Sequence, residues 1–201
     1  MDTDQAGRIG CVILASGYSR RYGANKLTAS LEGRSLIQRV LDSVPSELLE
    51  KVVVVTQYDE ISTYAKLFNF TVIQNEHPEL GVSQSIRLGL SALENCDGAL
   101  FSVADQPFLR RESVAALIEL WRRQPGKIAA MSSGGHRGNP CLFPAQFFPE
   151  LMTLEGDRGG SAVIRNHPEV LTLLEVDPLE LADVDTPQAL TALAERAGEN
   201  R

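Results

Sequence analysis

Three cations, Arg20, Arg21 and Lys26, follow a small-residue turn, Ser16-Gly17-Tyr18-Ser19, which itself ends an apolar run from Cys11 to Ala15. A strand that breaks into such a turn leaves a nest of backbone N–H groups able to hold an anion. With the cations in the same loop, the guest that fits best carries several negative charges, as a polyphosphate does. A Walker loop would end in Gly-Lys-Ser/Thr and a dinucleotide fingerprint would read G-x-G-x-x-G, and Gly23-Ala24-Asn25-Lys26 satisfies neither. Two acidic residues stand out by position. Asp105 follows a second apolar run, and Asp185 sits in Asp183-Val184-Asp185-Thr186-Pro187. Carboxylates are hard oxygen donors of the kind Mg2+ takes together with waters and phosphate oxygens. Taken alone, Asp185 reads first as a helix cap.

The elements that must position these residues alternate. Strands are expected over Cys11–Ala15, Lys51–Thr56, Phe70–Ile73 and Gly98–Val103, and the four successive valines of the second imply burial on both faces. Helical spacing predicts helices from a Ser35 cap to about Val44, from an Asp59 cap through Phe68, over Gly81–Leu93 and over Glu112–Arg123. A strand at Lys127–Met131, a glycine-rich turn over Ser132–Arg137 and a return strand at Pro140–Phe143 follow. Short helices at Phe147–Leu154 and Gly159–Arg165, a strand at Val170–Val176 and a closing helix at Gln188–Arg196 complete the chain. Right-handed crossovers make this an α/β, doubly wound, mostly parallel sheet with helices on both faces. Ligands bind beyond the carboxyl ends of such strands, so Asp105 and the loop after Ala15 are expected on one rim. Trp121 falls at core spacing.

At 201 residues the chain has the length of one α/β domain, and no linker or repeat divides it. The expected domain is 1–201, with polar residues 1–8 a flexible lead-in. A net charge of −7 argues against a nucleic-acid or anionic-membrane surface. Cys11, Cys96 and Cys141 are far apart and read as reduced thiols. With no signal peptide and no apolar run of about 20 residues, a cytoplasmic location is expected.

The opening segment resembles the signature of MobA-like nucleotidyltransferases, approximately L-x-A-G-x-S-x-R-M-G-x-x-K. Leu14, Gly17, Ser19, Arg21, Gly23 and Lys26 match it in register, while Ser16 and Tyr22 depart from it. Ala104-Asp105-Gln106-Pro107 is similar to the family's G-D-x-P, and Asp183 to Pro187 to its D-I-D-T-P. Asn75 to Leu90 resembles a segment of the molybdenum cofactor cytidylyltransferase branch. So do His136-Arg137-Gly138-Asn139-Pro140, with Asn139 in place of a common His, and Gly156-Asp157-Arg158-Gly159-Gly160. The resemblance spans nearly the whole chain. It implies a Rossmann-like nucleotidyltransferase fold and transfer of CMP from CTP to the terminal phosphate of molybdenum-molybdopterin, with pyrophosphate released. The product would pass to a molybdenum hydroxylase.

The resemblance also implies roles. Arg21 and Lys26 are expected on the triphosphate, with Lys26 following the charge that builds on pyrophosphate, and Asp105 and Asp185 on Mg2+. Arg21, Lys26 and Asp105 form the expected catalytic set. Leu14, Ala15, Ser16, Gly17, Ser19, Gln57 and Asn75 are expected around the nucleotide, with Ala15, Ser16 and Gln57 near the base. Ser83 and Ser85 either face the nucleotide from the opposite rim or serve only as helix-entry residues. On the acceptor side stand Arg87, Arg137, Asn139 and Arg158, with Asp157 supporting them. His77 and His167 read as loop polar groups, and His136 as either that or a ligand contact. Guanylyl transfer, or nucleotidyl transfer to another small phosphate, on the same fold is the alternative chemistry, and a nucleotide-gated carrier of molybdenum cofactor is the alternative without chemistry.

Overall fold

A computed structural model describes residues 7–19, 22 and 25–199. β1 (Ile9–Ala15) is buried because its alternate side chains serve two layers: Ile9, Cys11, Ile13 and Ala15 join one core, and Val12 joins the other. A hairpin follows, β2 (Ser30–Leu31) with β3 (Arg34–Ser35), then α1 (Leu36–Asp42), β4 (Lys51–Thr56), α2 (Asp59–Leu67) and β5 (Thr71–Gln74). Next come α3 (Val82–Ser91), β6 (Gly98–Val103), α4 (Arg111–Arg123), β7 (Ile128–Ser133) and β8 (His136–Pro144). The chain continues through α5 (Phe148–Met152), α6 (Gly160–Asn166), β9 (Leu171–Glu175) and α7 (Pro187–Glu199).

The 7-stranded sheet has the order β5-β4-β1-β6-β8-β7-β9. β4 and β6 flank β1 in parallel, β5 runs parallel to β4, and β9 runs parallel to β7. β8 alone among them runs antiparallel to its neighbours β6 and β7. The chain first builds outward from β1 to β5 and then crosses to β6 on the other side of β1. The crevice at such a reversal is where open α/β sheets bind ligands. Helices α1, α2 and α4 cover one face, and α3, α5 and α6 cover the other. The mostly parallel, doubly wound α/β expectation therefore holds.

Local sequence explains the positioning elements. Ser35 and Gln38 close a capping box at α1: the Gln38 N–H donates to Ser35 Oγ at 3.3 Å and the Ser35 N–H to Gln38 Oε1 at 2.9 Å. Gly89 lets α3 lie against β1, since a Cβ there would overlap Val12 Cγ1. Trp121 is 5% exposed in the core. The three cysteines are free and buried, and burial pushes the Cys11 thiol up to about 12 and the Cys141 thiol to about 11.

Some boundaries move. The turn expected over Ser132–Arg137 closes within Gly134 and Gly135, whose φ angles of 55° and 79° suit a tight hairpin, so β7 and β8 extend into the expected turn. Asp59 is the first residue of α2 rather than its cap, and Tyr58 precedes it without a capping side chain. The β2–β3 hairpin was not expected; it packs Leu31 with Leu36, Leu179, Val184 and Leu193 of α7. Of the lead-in, residues 1–6 lie outside the described residues. The Arg8 N–H donates to Asp97 Oδ2 at 2.7 Å, and its carbonyl accepts from the Asp97 N–H. Among the described residues, no helix is long and apolar enough to cross a membrane.

Candidate active site

β1 and β6 end side by side, and a cleft of about 440 Å³ opens beyond them. Leu14 to Ser19 and Lys26 form one wall. Val103 to Asp105 and Asp185 form the floor, and Pro78, Glu79, Gly81, Val82, Ser85 and Asp157 stand opposite. This volume lies in the range of small-molecule sites, roughly 300–1,000 Å³.

The loop after β1 is held from behind. Three successive carbonyls accept hydrogen bonds from three successive side chains at the end of β4. Thr56 Oγ1 donates to the Ala15 carbonyl at 3.0 Å, Gln57 Nε2 to that of Ser16 at 2.7 Å and Tyr58 Oη to that of Gly17 at 2.8 Å. In a trans peptide the N–H points opposite to the C=O. Fixing these carbonyls toward β4 therefore turns the N–H groups of Ser16, Gly17 and Tyr18 the other way, the orientation an anion nest needs. The Ser16 hydroxyl, buried, donates to the Val55 carbonyl at 3.1 Å. Ser19, at φ 51°, presents Oγ to the Lys26 N–H at 3.2 Å, and Asn25 Oδ1 accepts from the Leu27 N–H. Arg20, Arg21 and Gly23 lie outside the described residues.

Lys26 reaches into the floor of the cleft. Its ammonium donates to Asp105 Oδ2 at 2.8 Å and to Asp185 Oδ1 at 2.9 Å. Its side chain is 12% exposed, against 25% for Asp105 and 41% for Asp185. Burial works against the ammonium, but the Asp105 charge and the hydrogen bonds to both carboxylates outweigh it, holding Lys26 above the ordinary lysine value. The two aspartates meet because their loops are tied: the Val184 N–H donates to the Asp105 carbonyl at 2.9 Å. Gln106 Nε2 adds bonds to the Leu181 carbonyl at 3.2 Å and to Asp183 Oδ1 at 2.9 Å. Asp185 is not the cap of α7. Thr186 takes that role, with Oγ1 accepting from the Ala189 N–H at 3.1 Å.

The donor set fits a divalent ion. Both carboxylates already converge on one cationic atom, so an ion placed there would meet two hard oxygens, with waters and phosphate completing its shell. Among the described residues, no group of three or more His, Cys, Asp or Glu could hold a metal unaided. The described cleft lining carries Glu79, Asp105, Asp157 and Asp185 against Lys26. Such a wall repels a polyphosphate unless further cations enter with it.

The remaining expected residues divide. Leu14, Ala15, Ser16, Gly17, Ser19, Lys26, Ser85, Asp105, Asp157 and Asp185 all line the cleft. Gln57 lies outside the cleft lining and donates one amide N–H to the Ser16 carbonyl from behind the wall. Asn75, buried, donates to Ser85 Oγ at 3.2 Å and accepts from the His77 N–H at 3.1 Å, which sets Ser85 at the rim. Ser83 is buried on the Leu80 carbonyl and is a helix-entry residue. Arg87 is turned to the Leu154 carbonyl and to Gln84 Oε1 at 2.9 Å, away from the cleft. Arg137 donates to Ser161 Oγ at 3.3 Å, and Arg158 is exposed outside the lining.

Asn139 lines a second, mostly apolar cavity of about 110 Å³. It shares Leu14, Val82 and Val103 with the main cleft and is closed by Cys141, Phe143 and Gly159 to Ser161. His77 faces Glu79, His167 faces Glu150, and His136 is exposed at the start of β8. Sequence reasoning missed Thr56 and Tyr58 as loop supports. The signal available was two hydrogen-bonding side chains directly following a buried strand. It also passed over Gln106, although that residue lies inside the Ala104 to Pro107 motif.

The MobA-like NTP transferase domain family matches residues 11–170. The purine catabolism protein PucB of Bacillus subtilis is 31% identical over 192 residues, covering 88% of this chain and 91% of that one. A probable molybdenum cofactor guanylyltransferase of Natranaerobius thermophilus is 31% identical over 130 residues, 64% of this chain and 62% of its own. In fold, Rv0371c of Mycobacterium tuberculosis H37Rv in its complex with manganese superposes with a TM-score of 0.77 at 21% identity, over 94% of this chain and 98% of that one. The match over residues 11–170 spans the β1 loop, Asp105 and most of the sheet, and with it the chain belongs to the MobA-like NTP transferase domain family, a family of nucleotidyltransferases.

Proposed function

We propose that this protein transfers CMP from CTP to the terminal phosphate of a molybdenum-loaded molybdopterin, using Mg2+. The observation that carries the reading is the meeting of Lys26, Asp105 and Asp185 at the mouth of an anion-binding loop. Family membership supports nucleotidyl transfer. The molybdopterin acceptor draws support from the guanylyltransferase name of one relative, and a molybdenum hydroxylase as recipient follows from the cytidylyl reading alone. The cytidylyl choice rests on the segments Asn75 to Leu90, His136 to Pro140 and Gly156 to Gly160. The same guanylyltransferase relative favours GMP transfer from GTP as the second reading.

In this reaction an oxygen of the acceptor phosphate attacks the α-phosphorus of the triphosphate. A new P–O bond forms as the bond to pyrophosphate breaks. Two anions must be brought together, and the acceptor is ionised near neutral pH, so positioning and charge neutralisation matter more than a strong base. The Ser16 to Ser19 loop would hold the nucleotide phosphates, together with Arg21, and Ser85 would face them from the far rim. Lys26 would follow the charge developing on pyrophosphate. Asp105 and Asp185 would hold the metal ion, which when bound polarises phosphate oxygens as a Lewis acid. The acceptor would enter over Asp157 and the Asn139 cavity, with Arg137 and Arg158 near its charged end.

The test is a mass-spectrometric product assay with molybdenum-loaded cofactor, Mg2+ and an equimolar mixture of the four ribonucleoside triphosphates. The expected result is a dominant cytosine dinucleotide, absent in Asp105→Ala. A guanine product would move the protein to the second reading, and bound cofactor without any adduct would favour a carrier.

A further inference from the structure

We infer that Lys26 keeps the place of the metal ion, so that in the nucleotide-free protein the two aspartates admit a divalent cation only when the lysine leaves them. The inference rests on the reading of Asp105 and Asp185 as metal ligands. It adds that metal and triphosphate bind as one coupled event.

The geometry carries it. One ammonium lies 2.8 Å from Asp105 Oδ2 and 2.9 Å from Asp185 Oδ1, so the point best placed for a shared cation is already taken. The Lys26 side chain is 12% exposed, and withdrawing it exchanges two charge-assisted hydrogen bonds for solvent. The two loops that carry the carboxylates stay joined without it, through the Val184-to-Asp105 bond and the Gln106 bonds to Leu181 and Asp183.

Lys26 also has a second place to go. It follows directly on the loop that ends in Ser19, whose Oγ accepts the Lys26 N–H, and a triphosphate on the Ser16 to Ser19 wall would offer the ammonium fresh anionic oxygens. Transfer of Lys26 from aspartates to phosphate takes its ammonium off both carboxylates at the moment phosphate oxygens arrive to complete a metal shell. An anionic ligand and a cationic one then help each other through one side chain. By linkage the help is reciprocal and equal in both directions. The arrangement also keeps the acidic floor neutralised while the cleft is empty.

The probe is Mn2+ alone, titrated into nucleotide-free protein and followed by electron paramagnetic resonance of the free ion, with folding checked by thermal melting. Lys26→Met is expected to bind Mn2+ about tenfold more tightly than the wild type, within the usual span of site-to-site coupling. Lys26→Arg, which keeps a cation on the carboxylates, should stay within about threefold of the wild type on the same scale. Equal or weaker Mn2+ binding by folded Lys26→Met overturns the inference.

A second measurement uses the wild type only. The Lys26 ammonium resonance, assigned by 15N labelling, is expected to shift or exchange away as diamagnetic Mg2+ saturates the nucleotide-free protein. An unmoved resonance under saturable Mg2+ binding also overturns it. Neither measurement depends on turnover. A protein that makes no dinucleotide but shows the antagonism would sink the proposed reaction alone, and a competent enzyme without the antagonism would sink this inference alone.

Discussion

The two rims of the cleft recognise by different means. On the β1 rim, backbone and charge face inward: three carbonyls are drawn outward by Thr56, Gln57 and Tyr58, and Lys26 stands at the junction with the aspartates. On the far rim no cation is among the described lining residues. Arg87 is bound to the Leu154 carbonyl and Gln84, Arg137 to Ser161 beside the Asn139 cavity, and the lining there is Pro78, Glu79, Gly81, Val82, Ser85 and Asp157. The Ser83 N–H donates to the Gly156 carbonyl at 3.1 Å, so the Asp157 loop rides on the start of α3. Gly81 permits this with φ +81°, where a Cβ would overlap the Gly156 backbone. One rim brings the cation and the backbone N–H groups, and the other brings carboxylates and shape.

The contrast can be broken most sharply at its charged side. Lys26→Ala should lower turnover by about 10²-fold or more while the protein still unfolds in one cooperative transition, at a lowered melting temperature, as steady-state kinetics and calorimetry will show. Near-normal turnover would remove Lys26 from the chemistry. The shape side depends on how α3 is seated. Gly89→Ala is expected to cost about 1–3 kcal/mol in urea unfolding, because the added methyl meets Val12 in a packed layer.

Arg87→Ala tests whether the far-rim cations act on ligand. It should lose about 1 kcal/mol of stability and leave the acceptor KM within about twofold. A large rise in that KM would return Arg87 to the acceptor. The smallest effect lies behind the far rim, where Glu150 joins α5 to Asn166 and His167. The Asn166 hydrogen bond first, and then His167, hold the Glu150 carboxyl below its usual value. A lowered carboxyl pKa contributes stability that is present above the unfolded value and lost as pH falls through the folded one. Glu150→Gln should therefore flatten the acid limb of stability below about pH 4.5, by roughly 0.5 kcal/mol for a pair this exposed, as thermal melts across that range will measure.

What could be read from the chain follows the same division. That Lys26 and Asp105 share a rim was legible because β1 and β6 are neighbouring parallel strands, whereas Asp185 follows a short turn and coil and could be placed only through its motif. The roles of Gln57, Arg87 and Asn75 were not legible, although their types suit a ligand. Their partners are carbonyls and a hydroxyl brought near only by folding, and sequence gives the type of a polar side chain but not its direction. The Gly134-Gly135 hairpin was read as a longer turn because polar and glycine residues around it mask the strand conformation that pairing of Ser132 with Arg137 and of Ser133 with His136 imposes.

The bond between Lys26 and Asp185 spans 159 residues of chain. On the ribosome, the loop and most of the sheet emerge well before the residue that completes the cation site. A chain ending before Asp185 lacks the second carboxylate that Lys26 holds, and under the proposed reaction it is expected to carry no activity. The same stretch brings Val184 and Leu193 against Leu31, Leu36 and Leu179, so removing it is expected to loosen the β2–β3 hairpin as well.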